Sequence, residues 1–210
     1  MKNVCICFAL LFLISAVSAQ NLKPCKPCEE LKNLQLPDVT ILVAEAKVSD
    51  TIRNPSAPWI PAAIISKPFC RVLGRISKEI NFEILLPDES NGRFLMSGGG
   101  GFVGSIQNSF REKVNEGFAT AGTDAGHKGG DDAKWAYNNM ERQLNFGRLA
   151  IHRTAVVSKL ITQNYYCAAP AKSYFAGCSR GGGQAMVEAQ YYPEDFDGIV
   201  AGAPAFSWPA

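Results

Sequence analysis

Apolar and polar residues alternate along the first half of the chain, a pattern typical of half-buried strands. It predicts three strands: Val39 to Val48, Cys70 to Ile76, and the alternating positions from Ile80 to Leu86. A hairpin near Ser77-Lys78 joins the last two. Proline-interrupted segments predict an arm from Gln20 to about Leu36 and a loop from Asn54 to Pro61. The chain therefore begins with antiparallel strands.

In the second half, short apolar runs alternate with longer segments of helical period. Predicted strands are Arg93 to Ser97, Phe118 to Thr123, Ser173 to Ala176 and Ile199 to Ala201. Predicted helices are about Ser105 to Glu116, Glu141 to Tyr165 and Gly182 to Tyr191. Such alternation predicts an α/β fold whose sheet is mostly parallel, preceded by the antiparallel strands.

The first nineteen residues form a separate segment. Lys2 precedes an apolar run from Val4 to Leu13, and Val17-Ser18-Ala19 provides a small-residue cleavage site. The run is shorter than the ~20 residues of a membrane-spanning helix. Residues 1–19 are therefore interpreted as a signal peptide, residues 20–210 as the mature chain, and the protein as secreted and not membrane-bound.

Charge and cysteine usage narrow the function classes. The 210 residues carry 21 Lys and Arg against 19 Asp and Glu, which is a net charge of +2 without long basic runs, so a nucleic-acid partner is not expected. Five cysteines follow the signal peptide: Cys25, Cys28, Cys70, Cys167 and Cys178. Secretion favours disulfides, and an odd count leaves one thiol without a partner in the chain. Cys25-x-x-Cys28 lacks a second ligand pair or a preceding strand, which disfavours zinc or redox chemistry.

Gly177-Cys178-Ser179-Arg180-Gly181 is a G-x-S-x-G motif between a predicted strand and a predicted helix. In this context the serine lies at the tip of a tight turn, and small residues two positions before and after it avoid collision with the neighbouring backbone. The following helix directs its N–H groups towards the serine. Ser179 is therefore the candidate nucleophile, and the amide of Arg180 is a candidate oxyanion donor.

Gly98-Gly99-Gly100-Gly101 also follows a predicted strand. In esterases a glycine-rich loop at this place supplies the second oxyanion donor, because a backbone without side chains can approach the substrate carbonyl. Gly99, Gly101 and Gly104 also spell G-x-G-x-x-G, with Asp124 about twenty residues on, as in a dinucleotide-binding loop. A secreted flavin- or dinucleotide-binding protein therefore stays as an alternative, although it leaves the serine motif unexplained.

A serine nucleophile needs a histidine base and a carboxylate, which follow the serine in α/β-hydrolases. No histidine follows Ser179. His127 lies in a loop after a predicted strand, where a structural role is favoured over a catalytic one, and His152 lies on the long helix as a packed or surface residue. Asp195 and Asp197 are read as parts of a helix-to-strand connection.

Several blocks resemble the tannase and fungal-type feruloyl esterase family, which also holds an aromatic polyester monoester hydrolase. They run in one order from Cys28 to the end: Cys28 to Leu31, Phe69 to Val72, Asn91 to Phe94, Gly98 to Gly104, Gly117 to Thr120, Thr123 to His127, Gly177 to Gln184, Glu188 to Gln190, Tyr192 to Ile199, and Gly202 to Ala205. One departure is Ser90, where the family usually has tryptophan before Asn-Gly-Arg-Phe.

The resemblance implies an α/β-hydrolase and a serine carboxylic-ester hydrolase of aromatic esters, feruloyl, galloyl or related, either small or linked to plant polymers. It implies Ser179 as nucleophile and Arg180 with Gly100 or Gly101 as the oxyanion hole. It also implies a Cys28–Cys70 disulfide and a partner for Cys178 outside the chain, beside the catalytic histidine. Cys25 and Cys167 stay unassigned.

Members of this family are longer than 210 residues. The resemblance therefore implies that residues 20–210 are the N-terminal portion of a catalytic domain, with the lid, a structural calcium site in the lid, and the triad Asp and His beyond Ala210. Catalysis is expected to need no cofactor. The chain as it stands is expected to be inactive, and a truncated chain without catalytic function is a second alternative.

Overall fold

The structure, a computed structural model, describes residues 21–53, 61–130 and 132–205. Its strands are β1 (Val39–Lys47), β2 (Asp50–Ile52), β3 (Ala63–Ile65), β4 (Phe69–Ile76), β5 (Ile80–Pro87), β6 (Arg93–Ser97), β7 (Ala119–Thr123), β8 (Lys172–Cys178) and β9 (Gly198–Gly202). The proposed signal peptide and most of the Asn54–Pro61 loop lie outside the described residues.

Three α-helices are described: α1 (Met140–Leu144), α2 (Ala150–Tyr166) and α3 (Arg180–Tyr191). A π-helical segment, Asn145–Leu149, joins α1 to α2, so the predicted long helix is present but changes its hydrogen-bonding pattern in the middle. Short 3₁₀ helices span Cys28–Asn33, Arg111–Glu116 and Lys134–Ala136. No helix within the described ranges is long and apolar enough to cross a membrane.

Seven strands form one mixed sheet in the order β1-β4-β5-β7-β6-β8-β9. The first four strands in this order pair antiparallel, and the pairs β7-β6, β6-β8 and β8-β9 are parallel. The predicted hairpin is confirmed: Ile76 lies opposite Ile80, and Ser77 turns the chain with φ of 54°. The predicted α/β architecture with antiparallel N-terminal strands is therefore confirmed. A separate ribbon of β2 and β3 was not predicted.

The helix predicted from about Ser105 to Glu116 is wrong for its first half, because only Arg111–Glu116 is helical. The preceding residues instead lie across the end of β7, where the amide of Gln107 donates to the carbonyl of Thr123 at 3.3 Å. Gly122 permits this approach, since a Cβ there would lie 2.1 Å from the carbonyl oxygen of Gln107. A tertiary contact of the backbone overrides the local helical pattern.

The core lies between the sheet and its helices: α2 packs on β5 and β7, and α3 packs on β8 and β9. Fully buried aromatic side chains from three strands contribute to it: Phe82, Phe94 and Phe175. Phe69 is also fully buried but lies in a separate cluster with Ile52, Ile65, Leu85 and Val114.

Because β6 lies between β7 and β8, the chain leaves β6 towards one side of the sheet and later returns to the other. In open α/β sheets ligands bind at the carboxyl ends of strands beside such a reversal. The fold therefore brings the glycine run after β6 and the serine motif after β8 to one edge.

Candidate active site

Ser179 lies between β8 and α3 with φ of 57° and ψ of −119°, a left-handed conformation that is costly for a residue with a side chain. Its amide donates to the carbonyl of Gly202 at 3.0 Å, and its carbonyl accepts from the amide of Ala205 at 2.9 Å. The side chain is exposed. The surrounding backbone thus holds the serine at the tip of a strained turn, in reach of solvent.

The glycines around Ser179 are required by close backbone contacts. A Cβ on Gly177 would lie 2.4 Å from the carbonyl oxygen of Gly181, and one on Gly182 would lie 2.3 Å from that of Gly202. A Cβ on Gly183 would lie 2.3 Å from the carbonyl oxygen of Ala205. The steric reason that the sequence suggests for the motif is therefore present in the structure.

The glycine run packs against this turn, backbone to backbone. A Cβ on Gly98 would lie 2.6 Å from the Cα of Gly181. The amide of Gly98 donates to the carbonyl of Ala176 at 3.0 Å, and the amide of Gly99 donates to Oε1 of Gln184 on α3 at 3.0 Å. The first two glycines of the run are thereby fixed beside Ser179.

The two candidate glycines of the oxyanion hole differ in their hydrogen bonds. The amide of Gly100 donates to Oε1 of Gln107 at 2.7 Å. Gly101 has φ of 55°, a Cβ built on it would meet no atom within 4 Å, and its amide has no hydrogen-bond partner in the described part of the chain. Of the two, only the amide of Gly101 is free to accept a new partner.

Arg180 is the first residue of α3, so its amide is one of the N–H groups that have no partner within the helix. Its guanidinium donates to the carbonyl of Phe146 at 2.5 Å and lies 4.3 Å from the centroid of that phenyl ring. Burial lowers the pKa of the guanidinium. The side chain therefore packs against the π-helical segment, and the backbone amide is what Arg180 offers to a ligand.

His127 is buried, and its ring stacks on Trp135 with centroids 3.6 Å apart. Desolvation lowers the pKa of the imidazole, with the carbonyls of Phe102 and Ala125 opposing the shift. A buried ring between aromatic neighbours agrees with the structural role favoured for this loop residue.

His152 is a partly exposed histidine on α2, as predicted, and its Nδ1 lies 2.6 Å from Oδ2 of Asp195, a contact that was not predicted. The two residues are 43 positions apart, and no local motif links them. Asp197 instead accepts from Nζ of Lys172 at 2.6 Å and from the amide of Ser173 at 2.8 Å. It therefore lies at the start of β8, whereas Ser179 follows the end of that strand.

The dinucleotide alternative lacks its structural context. The residues after Gly104 do not begin an α-helix, whose N-terminus would hold a pyrophosphate. Asp124 is buried and accepts hydrogen bonds from the amide of Asn81 at 3.0 Å, its Nδ2 at 2.6 Å, and the amide of Gly126 at 2.9 Å. Desolvation raises its pKa to about 6. Both oxygens of this carboxyl are therefore already hydrogen-bonded within the protein.

Two disulfides, Cys25–Cys167 and Cys28–Cys70, are present in the structure. The second is the pair that the resemblance implied, and the first was not predicted. Cys178, beside Ser179, is an exposed free thiol. If the implied Cys28–Cys70 pair and an outside partner for Cys178 are accepted together, Cys25 and Cys167 are the remaining pair.

A family model described as Tannase and feruloyl esterase matches residues 63–210. A probable feruloyl esterase from Arthroderma benhamiae is 48% identical over 132 residues, which cover 59% of this chain and 25% of the relative. A probable feruloyl esterase B-1 from Aspergillus flavus is 37% identical over 180 residues, 83% of this chain and 31% of the relative.

Solved structures of two similar proteins share the fold of this chain. Feruloyl esterase B from Aspergillus oryzae is 34% identical with a TM-score of 0.76, and the match covers 85% of this chain and 36% of that one. Tannin acyl hydrolase from Aspergillus niger is 25% identical with a TM-score of 0.62, covering 90% of this chain and 36% of that one. The chain spans about a quarter to a third of the length of these relatives.

Proposed function

Because the chain belongs to the tannase and feruloyl esterase family, we propose that the protein of which it forms part hydrolyses esters of feruloyl, galloyl or related aromatic acids. The substrate is a small ester or an aromatic group linked to a plant polymer. The observation that carries this proposal is the exposed serine at the strained turn between β8 and α3.

Ser179 acts as the nucleophile. A base takes the proton from its hydroxyl as Oγ attacks the ester carbonyl, and the carbonyl oxygen becomes an oxyanion. The protonated base then returns that proton to the leaving alcohol as the C–O bond breaks, which leaves an acyl-serine. Water activated by the same base hydrolyses the acyl group and restores the serine.

The oxyanion is held by the amide of Arg180 and an amide of the glycine run. Gly101 is favoured over Gly100 because the Gly100 amide already donates to Gln107. Donors fixed before the reaction stabilise developing charge without reorganisation, and one such donor contributes about 100- to 1,000-fold to the rate. The contacts of Gly98 and Gly99 to β8 and α3 support this fixed geometry.

We do not assign either described histidine as the base. His127 is buried and stacked on Trp135. His152 is held by Asp195 in the turn before β9, at the opposite end of β8 and α3 from Ser179. We assign the base and its carboxylate to residues beyond Ala210, together with a partner for Cys178 and the structural calcium site. The chain ending at Ala210 is accordingly proposed to be inactive, and no cofactor is assigned to the chemistry. Secretion is proposed from the signal-like residues 1–19 and the two disulfides.

The test is hydrolysis of methyl ferulate and of a gallate ester by the complete protein, its Ser179→Ala variant, and a matched Ser109→Ala control at another exposed serine. Loss of the nucleophile should lower kcat at least about 1,000-fold, while the control keeps its activity. Equal activity of Ser179→Ala and the parent protein would remove Ser179 from the mechanism. Turnover by the chain ending at Ala210 would overturn the assignment of the base.

A further inference from the structure

Three potential metal ligands from three separate segments lie close together near the C-terminal end of α3, whereas Ser179 precedes the N-terminal end of that helix. His152 lies on α2, Glu188 on α3, and Asp195 in the connection from α3 to β9. One ligand atom from each residue lies within 4.8 Å of the other two, and Nδ1 of His152 is 2.6 Å from Oδ2 of Asp195. The group lies outside the proposed catalytic machinery.

Glu188 is the residue of this group that most requires a partner. Its relative exposure is 0%, and neither carboxylate oxygen makes a hydrogen bond of good geometry in the described residues, although the backbone N–H of His152 and the ammonium of Lys159 are close enough to favour its ionised form. A buried carboxyl without a partner costs free energy, and a buried charge costs far more unless a counter-charge or metal compensates it. Such a group is rare in a native protein and calls for a physical explanation.

We propose that His152, Glu188 and Asp195 bind a Zn²⁺ ion that joins α2, α3 and the turn before β9. The donor set is one imidazole nitrogen and two carboxylate oxygens, which zinc accepts at about 2.0–2.2 Å. Tetrahedral bonds of that length hold ligand atoms roughly 3.3 Å apart, so the His152–Asp195 contact opens slightly and the widest separation closes by about 1.5 Å. Ca²⁺ and Mg²⁺ favour oxygen-only sites with six or more ligands, whereas the imidazole favours zinc.

Neighbouring residues orient two of the ligands. The ring of His152 stacks on Tyr192 with centroids 3.9 Å apart and planes 10° apart. Nζ of Lys159 donates to the backbone carbonyl of Asp195 at 2.7 Å and lies 3.5 Å from Oδ1, which leaves Oδ2 towards His152. Outer contacts of this kind fix ligand orientation in metal sites.

The charges and access of the site also fit a divalent cation. The two carboxylates carry two negative charges when ionised, and Lys159 contributes one positive charge, so the cluster has a net negative charge that attracts a cation. The side chain of His152 is 32% exposed, whereas that of Asp195 is 9% exposed. Solvent therefore reaches the imidazole side, from which the ion enters and a water completes the coordination.

The test uses the complete, untagged protein, in which the proposed partner beyond Ala210 holds Cys178 in a disulfide, so that this thiol does not compete for zinc. After removal of metals with a chelator, zinc binding is measured by equilibrium dialysis and calorimetry. Glu188→Gln keeps the shape of the side chain without its charge. Glu194→Gln is the matched control, because Glu194 is exposed and adjacent to Asp195. His152→Phe is a second variant that keeps a ring for stacking on Tyr192.

We expect one saturable Zn²⁺ site in the parent and in Glu194→Gln, with a rise in Tm on zinc addition. That site should weaken by more than about 100-fold in Glu188→Gln and His152→Phe, since loss of an outer partner alone costs 10- to 100-fold. X-ray absorption should show nitrogen and oxygen ligands. Any of four results would overturn the proposal. They are a zinc stoichiometry that neither variant changes, a site selective for Ca²⁺, sulfur ligation of the zinc, and the absence of zinc binding by the folded parent protein.

Discussion

A methyl group added at Gly177 tests whether backbone packing at the turn positions Ser179, the proposed nucleophile. In Gly177→Ala the new Cβ would lie 2.4, 2.5 and 2.8 Å from the carbonyl oxygen, carbonyl carbon and Cα of Gly181. Carbon contacts are favourable only at about 3.5–4.0 Å, so the first turn of α3 must move by roughly 1 Å. Gly181 cannot retreat freely, because a Cβ on it would already lie 3.1 Å from the carbonyl carbon of Gly98.

The expected effects follow from that displacement. Overpacking of this kind costs about 1–3 kcal/mol in the free energy of unfolding. Ser179 and the amide of Arg180 lie between residues 177 and 181, and a misplacement of about 1 Å lowers catalysis by about 100-fold. We therefore expect Gly177→Ala to lower kcat for methyl ferulate by about that factor in the complete protein, with urea denaturation showing the loss of stability.

Gly147→Ala is the matched control. Gly147 lies in the π-helical segment, and a Cβ there would meet no atom within 4 Å. Alanine at that position should leave kcat unchanged and alter stability by at most about 1 kcal/mol. If Gly177→Ala keeps both kcat and stability, the close contact does not constrain the turn. If stability falls while kcat is kept, the turn does not position the nucleophile.

Three further predictions concern the loop, a disulfide and a buried carboxyl. Gln107→Leu removes the acceptor of the Gly100 amide and should lower kcat by about tenfold as the loop loosens; a rise in kcat would instead identify Gly100 as the oxyanion donor. Replacing Cys25 and Cys167 by serine opens a 142-residue link and should lower the free energy of unfolding by about 2–5 kcal/mol; a urea-denaturation loss below about 1 kcal/mol would contradict this. Desolvation raises the pKa of Asp124 from 3.8 to about 6, so between these pH values the folded state binds more protons than the unfolded state. The free energy of unfolding should therefore fall by up to about 3 kcal/mol as pH rises through this range. Urea denaturation at several pH values should show a weaker pH dependence for Asp124→Asn than for the parent protein, and an equal pH dependence would refute the raised pKa.

The local sequence pattern predicted the structure correctly where the interacting residues are close together in the sequence. The hairpin at Ser77 follows from alternating apolar residues on both sides of a short polar turn, and the register Ile76 to Ile80 agrees with it. The strand-turn-helix around Ser179 follows from small residues at fixed spacing. In both cases the interacting residues lie within a few positions of one another.

Contacts between distant residues could not be predicted in this way. The segment before Arg111 has a helical pattern but lies over Gly122, and nothing in its own sequence reports that contact. The pairing of His152 with Asp195 joins residues 43 positions apart, and the Cys25–Cys167 disulfide joins residues 142 apart. Such contacts depend on the order of strands in the sheet, and local secondary-structure propensity carries no information about that order.

The strain at Ser179 links the candidate site to β9, a strand on which no candidate catalytic residue lies. A non-glycine residue in this conformation costs about 1–3 kcal/mol. Three backbone hydrogen bonds hold it: its amide to Gly202, and its carbonyl to the amides of Gly183 and Ala205. At about 1 kcal/mol each they offset that cost. Two of the three partners lie at or beyond the end of β9, so the backbone geometry of Ser179 depends on the pairing of this strand with β8.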